Sequence, residues 1–390
     1  MKILFWLSLF IIFYTFLGYG ILLFFLVKLR RFFKGRRLIP SLDQDFPTLT
    51  LIVAAYNEED LILEKIANTL SLNYPKDKLN LLFITDGSSD RTPDLIGGFA
   101  DIKLMHSPER NGKIHAIHRA MYEVDTEVVV FTDANTFLNK DALLLIARHY
   151  ADPKVGAVSG EKRVLQDDVS DATAGEGFYW KYESTLKKWD SELYSVVGAA
   201  GELFSVRRSL YEQVEADTIL DDFMISMLIA QKGYRIIYEP EAYASELSSD
   251  NIKEELKRKV RIAAGGIQSI LRLKKLFLPF SFPLLWFQYI SHRVLRWTVT
   301  PFLMILVFIL NFIICFQDPS IIYFLIMAGQ VLFYGGALAG WVLEKRKIKV
   351  KALFVPYYFC VMNYAVIAGI NRYYKGSQSA AWEKAKRKTA

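Results

Sequence analysis

The chain has 390 residues, 52% of them hydrophobic and 14% aromatic, with a net charge of +7 and a mean hydropathy of +0.19. So much apolar surface with only 23% charged residues excludes a disordered chain. The positive mean hydropathy points to membrane segments, since an ordinary soluble domain carries enough polar surface to bring the average below zero. A basic balance admits nucleic-acid binding or positive flanks on membrane helices, and the positions of the charges decide between them. Cys315 and Cys360 each stand alone in an apolar run, so neither a disulfide framework nor a zinc site is indicated.

Residues 3–27 form an uncharged run of Ile, Leu, Phe and Tyr, long enough as a helix to cross a hydrocarbon core of roughly 30 Å. A cleaved signal peptide is the alternative. The run exceeds the usual length of roughly 7–15 residues, lacks a small-x-small cleavage site and ends in KLRRFFKGRR. Lys28, Arg30, Arg31, Lys34, Arg36 and Arg37 are expected on the cytoplasmic side, which places the N-terminus outside and the following residues in the cytosol. The organisation therefore opens with a transmembrane helix over 1–30 and a basic linker over 31–45.

From 46 to 275 the pattern changes. TLTLIVAAY, LNLLFITD, DIKLMHS and TEVVVFTD read as strands, each followed by an amphipathic helical pattern. That alternation predicts right-handed βαβ units and a largely parallel sheet, an α/β domain of Rossmann-like type. Ligands of such sheets bind at the carboxyl ends of the strands, which directs attention to Asn57, Glu58, Asp86 and Asp133.

Beyond the domain, LFLPFSFPLLWFQYI (276–290) is too short and proline-broken to span a membrane, and its aromatics suit an interface helix region over 276–297. Apolar runs near 298–316, 320–343 and 352–371 complete a C-terminal membrane section over 298–371, followed by a basic tail over 372–390. The basic loop EKRKIKVK (344–351) is expected in the cytosol. Four spans from an outside N-terminus put the tail outside, whereas Lys384, Lys386, Arg387 and Lys388 argue for inside. The segment 352–371, with Pro356, Asn363 and several tyrosines, is therefore expected to be re-entrant. The charges divide accordingly. Residues 38–290 hold 28 Lys+Arg against 38 Asp+Glu, so the basic excess belongs to the membrane flanks. The soluble domain carries no basic stripe interleaved with aromatics that would suggest nucleic-acid binding.

Several motifs carry chemistry, each with a plain structural alternative. In TDGSSDRT, Asp86 ends a strand at a tight turn whose acceptor can face a ligand or serve the turn alone. In VVVFTDANT, Asp133 and Asn135 lie on the same side, where a carboxylate and an amide oxygen can bind Mg²⁺ or Mn²⁺ with phosphate oxygens completing the shell. Gly112 and Lys113 open a helix, where backbone N–H groups and an ammonium favour phosphate; a solvated lysine is the alternative. Asp221 and Asp222 precede an amphipathic helix and complement its dipole, or one of them acts as a general base. Arg258 and Arg261, one helical turn apart, can hold a diphosphate or sit beside lipid headgroups.

The order of these motifs, with GAAGELFSVRRSLY (198–211) between Asp133 and Asp221, and their membrane frame resemble the membrane-integrated branch of glycosyltransferase family 2. That branch includes cellulose, hyaluronan and poly-N-acetylglucosamine synthases and ceramide glucosyltransferase. The resemblance implies a cytosol-facing GT-A-type domain with transmembrane helices. It implies that Ala55, Tyr56, Glu58 and Asp86 hold the base and ribose of a nucleotide-sugar, and that Lys113 lies near its phosphates. Asp133 matches the first acid of the family's D-x-D metal motif, with Asn135 in place of the second. Asp221 and Asp222 match the acidic pair whose second member is the general base, and Arg258 and Arg261 fall on the Q/R-x-x-R-W motif at the diphosphate. Ile262 stands where that motif has its tryptophan, an acceptor-site residue in the processive synthases.

The activity implied is an inverting transfer of a sugar, most readily from a UDP-sugar, to a growing polysaccharide at the inner membrane, with a divalent cation (Mg²⁺ or Mn²⁺). The expected partners are the donor, the acceptor and membrane lipids, with no nucleic acid, and the expected location is a multi-pass cell membrane protein with its catalytic domain cytoplasmic. Two alternatives stand beside it: transfer of a single sugar to a lipid acceptor, and a non-catalytic membrane scaffold with a nucleotide-binding domain.

Overall fold

A computed structural model describes residues 1–378 apart from 38, 43, 44, 166–172, 248–251, 347 and 349. The basic tail residues Lys384, Lys386, Arg387 and Lys388, and Lys347 and Lys349 of the basic loop, lie outside the described residues. The chain opens with α1 (Lys2–Phe13) and α2 (Tyr19–Lys34), joined through a π-helical turn at Tyr14–Gly18 into one 33-residue helix.

The α/β part then runs β1 (Leu49–Ala55), α3 (Ile62–Leu70), β2 (Leu79–Asp86), α4 (Thr92–Gly97), β3 (Lys103–Ser107), α5 (Lys113–Tyr122) and β4 (Val128–Asp133). It continues with β5 (Phe137–Leu138), α6 (Ala142–Ala147), β6 (Val155–Leu165), α7 (Thr173–Leu193), β7 (Leu203–Arg207), α8 (Asp221–Gln231), β8 (Arg235–Leu247) and α9 (Ile252–Arg272). The eight strands form one sheet in the order β3-β2-β1-β4-β7-β6-β8-β5. Strands β3, β2, β1 and β4 are parallel, as the alternating pattern predicts, but β7 runs antiparallel to both β4 and β6, and β5 to β8, so the sheet is mixed. β1 is buried along its whole length because helices cover both faces of the sheet, which is why it reads as an unbroken apolar run. One core layer packs Ile114, Ile117, Phe223 and Ile270 against the sheet; the other packs Ile62, Ile66, Leu143 and Ile146. The chain runs outward from β1 to β2 and β3 and then returns to β4, so a crevice opens at the carboxyl ends of β1 and β4.

After α9 come α10 (Pro283–Tyr289), a π-helical turn Ile290–Val294 and α11 (Leu295–Trp297). α12 (Thr300–Gln317), α13 (Ile321–Lys345) and α14 (Lys351–Tyr374) follow. Among the described residues, four helices are long and apolar enough to cross a membrane: Lys2–Lys34, α12, α13 and α14. The structure departs here from the expectation of a re-entrant segment, because α14 is one unbroken helix over 24 residues. Pro356 lies near its start, where the missing N–H removes a single early hydrogen bond and the helix continues. The first half of α14 packs on α13, with Phe333 and Phe359 rings 5.7 Å apart. Its second half lies on α9, where a Cβ at Gly369 would come within 2.5 Å of the Ala263 Cβ, so the glycine permits the approach.

The 276–297 region is also more than a helix resting on a bilayer surface. Phe280 and Leu278 are exposed, but Leu285, Gln288, Tyr289 and His292 are fully buried. The cause is a charged network that the apolar sequence conceals. Glu183 and Asp190 of α7 meet His292 and Arg293 of the π-helical turn and Arg296 of α11. His292 lies 2.6 Å from Asp190 and 3.1 Å from Glu183, while Arg293 and Arg296 reach Glu183 at 2.9 and 2.8 Å. The Tyr19 hydroxyl of α2 donates to Asp190, and Arg31 of α2 grips Glu192 with two hydrogen bonds of 2.6 Å. Burial opposes ionisation of Glu183, but His292, Arg293 and Arg296 outweigh it and hold its carboxyl well below the usual carboxylate range. Replacement Glu183→Gln removes the carboxylate charge that faces buried Arg296 and half-buried Arg293. It should cost about 3 kcal/mol or more, read as a lowered thermal midpoint of the detergent-solubilised protein; an unchanged midpoint would contradict this.

Candidate functional site

The loops after the four parallel strands are tied to one another before any ligand is considered. Asn57 adopts the left-handed conformation (φ 51°), tolerable for an Asn, and its side-chain oxygen accepts the Ser89 N–H at 2.9 Å. The Glu58 N–H donates to Thr92 Oγ1 at 2.8 Å, so the loop after β1 is fastened to the start of α4. Asp86, at the end of β2, accepts the N–H groups of Asn111 and Gly112 through one oxygen, at 2.9 and 2.6 Å. That carboxylate therefore shapes the turn into α5 as well as facing the crevice. Gly87 (φ +69°) lies so close to the Arg110 backbone that a Cβ would come within 2.8 Å of its Cα. The result places the Arg110 guanidinium over the Tyr56 ring, 4.1 Å from its centroid. A shallow pocket opens here, lined by Ala54, Ala55, Tyr56, Ile84, Asp86, Arg110, Gly112, Lys113 and Ala116. Its aromatic face, stacked cation and carboxylate suit a planar heterocycle with hydrogen-bonding edges.

The polar end of the crevice is built around Lys113, the first residue of α5. Its ammonium lies 2.8 Å from Asp133 Oδ1, at the end of β4, and 3.5 Å from Asp221 Oδ2, in the first turn of α8. Burial alone would lower its pKa, yet Asp133 and Asp221 reverse the sign and raise it. Asp222 follows Asp221, with Gly201 packed against its carboxylate. Burial first, and the adjacent Asp221 second, push the Asp222 carboxyl up to about 7, against the opposing pull of Lys113. Beneath the turn after β4, burial lowers the Lys65 ammonium to about 7, with the field of Asp133 opposing.

The two arginines of α9 separate. Arg258 is held by Glu255 at 3.2 Å, Glu246 at 3.6 Å and Glu202 at 4.0 Å, within a cluster that also pairs Lys162 with Glu202 at 2.6 Å. These carboxylates receive its charge in this structure. Arg261 is half-buried and its Nε makes no hydrogen bond. It lies one turn before Gly265, which packs against Ile219 and Leu220 just ahead of Asp221. The structure thus brings Ala55, Tyr56, Asp86, Lys113, Asp133, Asp221 and Asp222 to one crevice, with Arg261 approaching it along α9. Three contributors escaped the sequence reading: Arg110, Glu202 and Lys65. Arg110 had a signal in the polar ERNGK turn, since the chain there must leave a strand and enter a helix; the other two had none.

The fit to a divalent cation is partial. Among the described residues no group of three or more His, Cys, Asp or Glu could hold a metal ion unaided. Asp133 supplies one carboxylate, already shared with Lys113, and Asn135 an amide. Such a donor set suits a hard cation only when oxygens of a bound diphosphate complete it.

The fold and this crevice define a GT-A type of α/β domain, with helices fit to span a membrane attached. A mannosyltransferase from Pyrobaculum calidifontis, solved with GDP-Man and Mn²⁺, shares the fold with a TM-score of 0.71 at 24% identity, covering 96% of this chain and all of that one. Residues 50–215 match the sequence profile of glycosyl transferase family 2. A poly-β-1,6-N-acetyl-D-glucosamine synthase of Staphylococcus aureus is 30% identical over 234 residues, and one of Staphylococcus epidermidis 27% identical over 260. These matches cover 57% and 65% of this chain, and the chain spans only 56% and 62% of those relatives.

Removal of the guanidinium in Arg110→Ala should weaken binding of a nucleoside diphosphate about fivefold to tenfold, by loss of a stacked cation over Tyr56. Calorimetric titration checks this, and unchanged affinity would show that Arg110 plays no part in the pocket.

Proposed function

We propose that this protein is an inverting membrane glycosyltransferase that moves a sugar from a nucleotide-sugar, a UDP-sugar in the first instance, to a growing polysaccharide. Its catalytic domain faces the cytosol at the inner membrane. The observation that carries this reading is Asp222, a carboxylate pushed up to about 7, beside an ammonium shared by Asp133 and Asp221. A base with a pKa near the operating pH is suited to taking the proton of an acceptor hydroxyl as that oxygen attacks the anomeric carbon. Attack from the side opposite the departing nucleoside diphosphate inverts the anomeric centre. Tyr56, Arg110, Ala55 and Asp86 hold the nucleoside, with Glu58 fixing the loop that carries Tyr56. Lys113, and Arg261 on α9, lie where they can offset the charge gained by the diphosphate. A divalent cation held by Asp133 and Asn135, when bound, supplies further neutralisation of that diphosphate. The names of the staphylococcal relatives support a polysaccharide product, and the manganese complex of the mannosyltransferase supports a cation.

Ile262, in place of a tryptophan expected at the acceptor side, favours a second reading in which the acceptor is a lipid that receives a single sugar. Incubating the detergent-purified protein with a panel of labelled nucleotide-sugars separates the two. High-molecular-weight product supports the polysaccharide, and solvent-extractable product supports the lipid. Binding without turnover of any donor would leave the scaffold alternative.

The base assignment has its own signature. Asp222→Asn should lower turnover by about two to four orders of magnitude while donor affinity stays within about threefold of wild type. Because the acid form of Asp222 cannot accept a proton, wild-type kcat should rise as pH climbs through about 7 and level off above it. Wild-type turnover in the variant, or a flat profile between pH 5.5 and 8.5 (about one and a half units either side of the inflection), would sink the assignment.

A further inference from the structure

Lys65 of α3 is completely buried, and among the described residues no carboxylate lies within ion-pairing distance of it. An ammonium removed from water is expensive, so a side chain that only filled space here would be better made of hydrocarbon. Its partners show what it serves. Nζ donates to the Thr136 carbonyl at 2.6 Å and to Thr132 Oγ1 at 3.4 Å. The Thr132 hydroxyl passes its single proton on to the Glu202 carbonyl at 2.9 Å, and the Thr136 hydroxyl donates back to the Asp133 carbonyl at 3.0 Å. Asp133 and Asn135 therefore ride on the five residues 132–136, whose two threonine posts are both bonded into one dry polar network.

The helix continues the same grip one turn on. The Asn68 side chain donates to the Leu138 carbonyl at 2.8 Å and accepts the Leu138 N–H at 2.9 Å. At its other end α3 begins from the Glu58 carbonyl, which accepts the N–H groups of Leu61 and Ile62. The helix thus spans from the loop that carries Tyr56 to the turn that carries Asp133, and Lys65 is its contact with the second.

We propose that Lys65 is a positioning residue for the diphosphate end of the site: it acts through the Thr132–Thr136 turn to hold Asp133 and Asn135 toward the phosphates, touching no ligand itself. The proposal rests on the functional reading above for what Asp133 and Asn135 hold. It does not depend on that reading for the turn itself.

Lys65→Met keeps an unbranched stem and removes all three donors, leaving the Thr136 carbonyl without its partner. In the full-length protein in detergent, hydrogen–deuterium exchange over 133–138 should accelerate by about tenfold, the effect of one orphaned buried carbonyl. Affinity for UDP with Mn²⁺ should fall by a similar factor of about ten, while affinity for UMP, which lacks the β-phosphate, stays within about twofold. Unchanged exchange over 133–138, or equal losses for UDP and UMP, would overturn the positioning role. Should Lys65→Met fail to fold, Thr132→Val, which cuts the relay from Lys65 to Glu202, is read by the same two measurements and the same criteria. A wild-type protein without affinity for UDP would count against the functional reading, and the exchange measurement would still decide the role of Lys65.

Discussion

Three carboxylates converge on one ammonium at the carboxyl end of the sheet, and much of the molecule is arranged around that imbalance. Asp133 comes from β4 and Asp221 and Asp222 from the first turn of α8, while Lys113 opens α5. Burial first, and then the neighbouring Asp221 that one ammonium cannot offset, push the Asp222 carboxyl up to about 7. The same deficit bears on an anionic donor. On the proposed function, a diphosphate entering a domain that carries ten more acidic than basic residues between 38 and 290 would need positive charge brought to it, by Lys113, by Arg261 or by a cation. Acidity in the crevice and basicity beside the apolar helices are thus separate features, carried by different segments of the chain.

Packing joins these two regions. Gly265 of α9 lies against Leu220, next to the acidic pair, and Gly369 of α14 lies against Ala263 on the same helix. Trp297 of α11 occupies the space left by Gly266 and meets the Phe223 ring at 5.3 Å. Arg293, which holds Glu183, also reaches the Val197 carbonyl at the foot of the 198–202 loop. α14, long and apolar enough to cross a membrane, therefore packs on α9, which lies against the segment that leads into Asp222, and α11 meets α8 itself. Glycines make that contact possible, since each of the three would collide with a neighbour if it bore a Cβ.

Much of this was legible in the residue pattern. The strands before Asp86 and Asp133 were visible because a strand buried on both faces must be apolar throughout and then turn polar abruptly at its end. The membrane helices were visible for the same reason on a larger scale. Lys65, Glu183 and Asp190 could not be recognised, because a charged residue in an amphipathic pattern is by default a solvated one. What reverses that default is a partner far along the chain, as Thr136 is for Lys65 and His292 for Glu183. Arg258 shows what folding adds: beside Glu255 of its own helix, Glu202 and Glu246 arrive from distant segments to share its charge.

Local order, hydrophobic period and charge placement were enough to establish an α/β domain between basic-flanked apolar helices, because secondary structure and membrane insertion respond to composition within a window of some 20 residues. The pairing of β7 against β4, the continuity of α14, and the selection of Asp222 as the carboxyl with the raised pKa belong to the tertiary structure alone. Strand direction and helix packing are settled by which faces meet. A pKa is settled by burial and by the charges that folding brings within a few ångströms, and neither quantity exists along the chain.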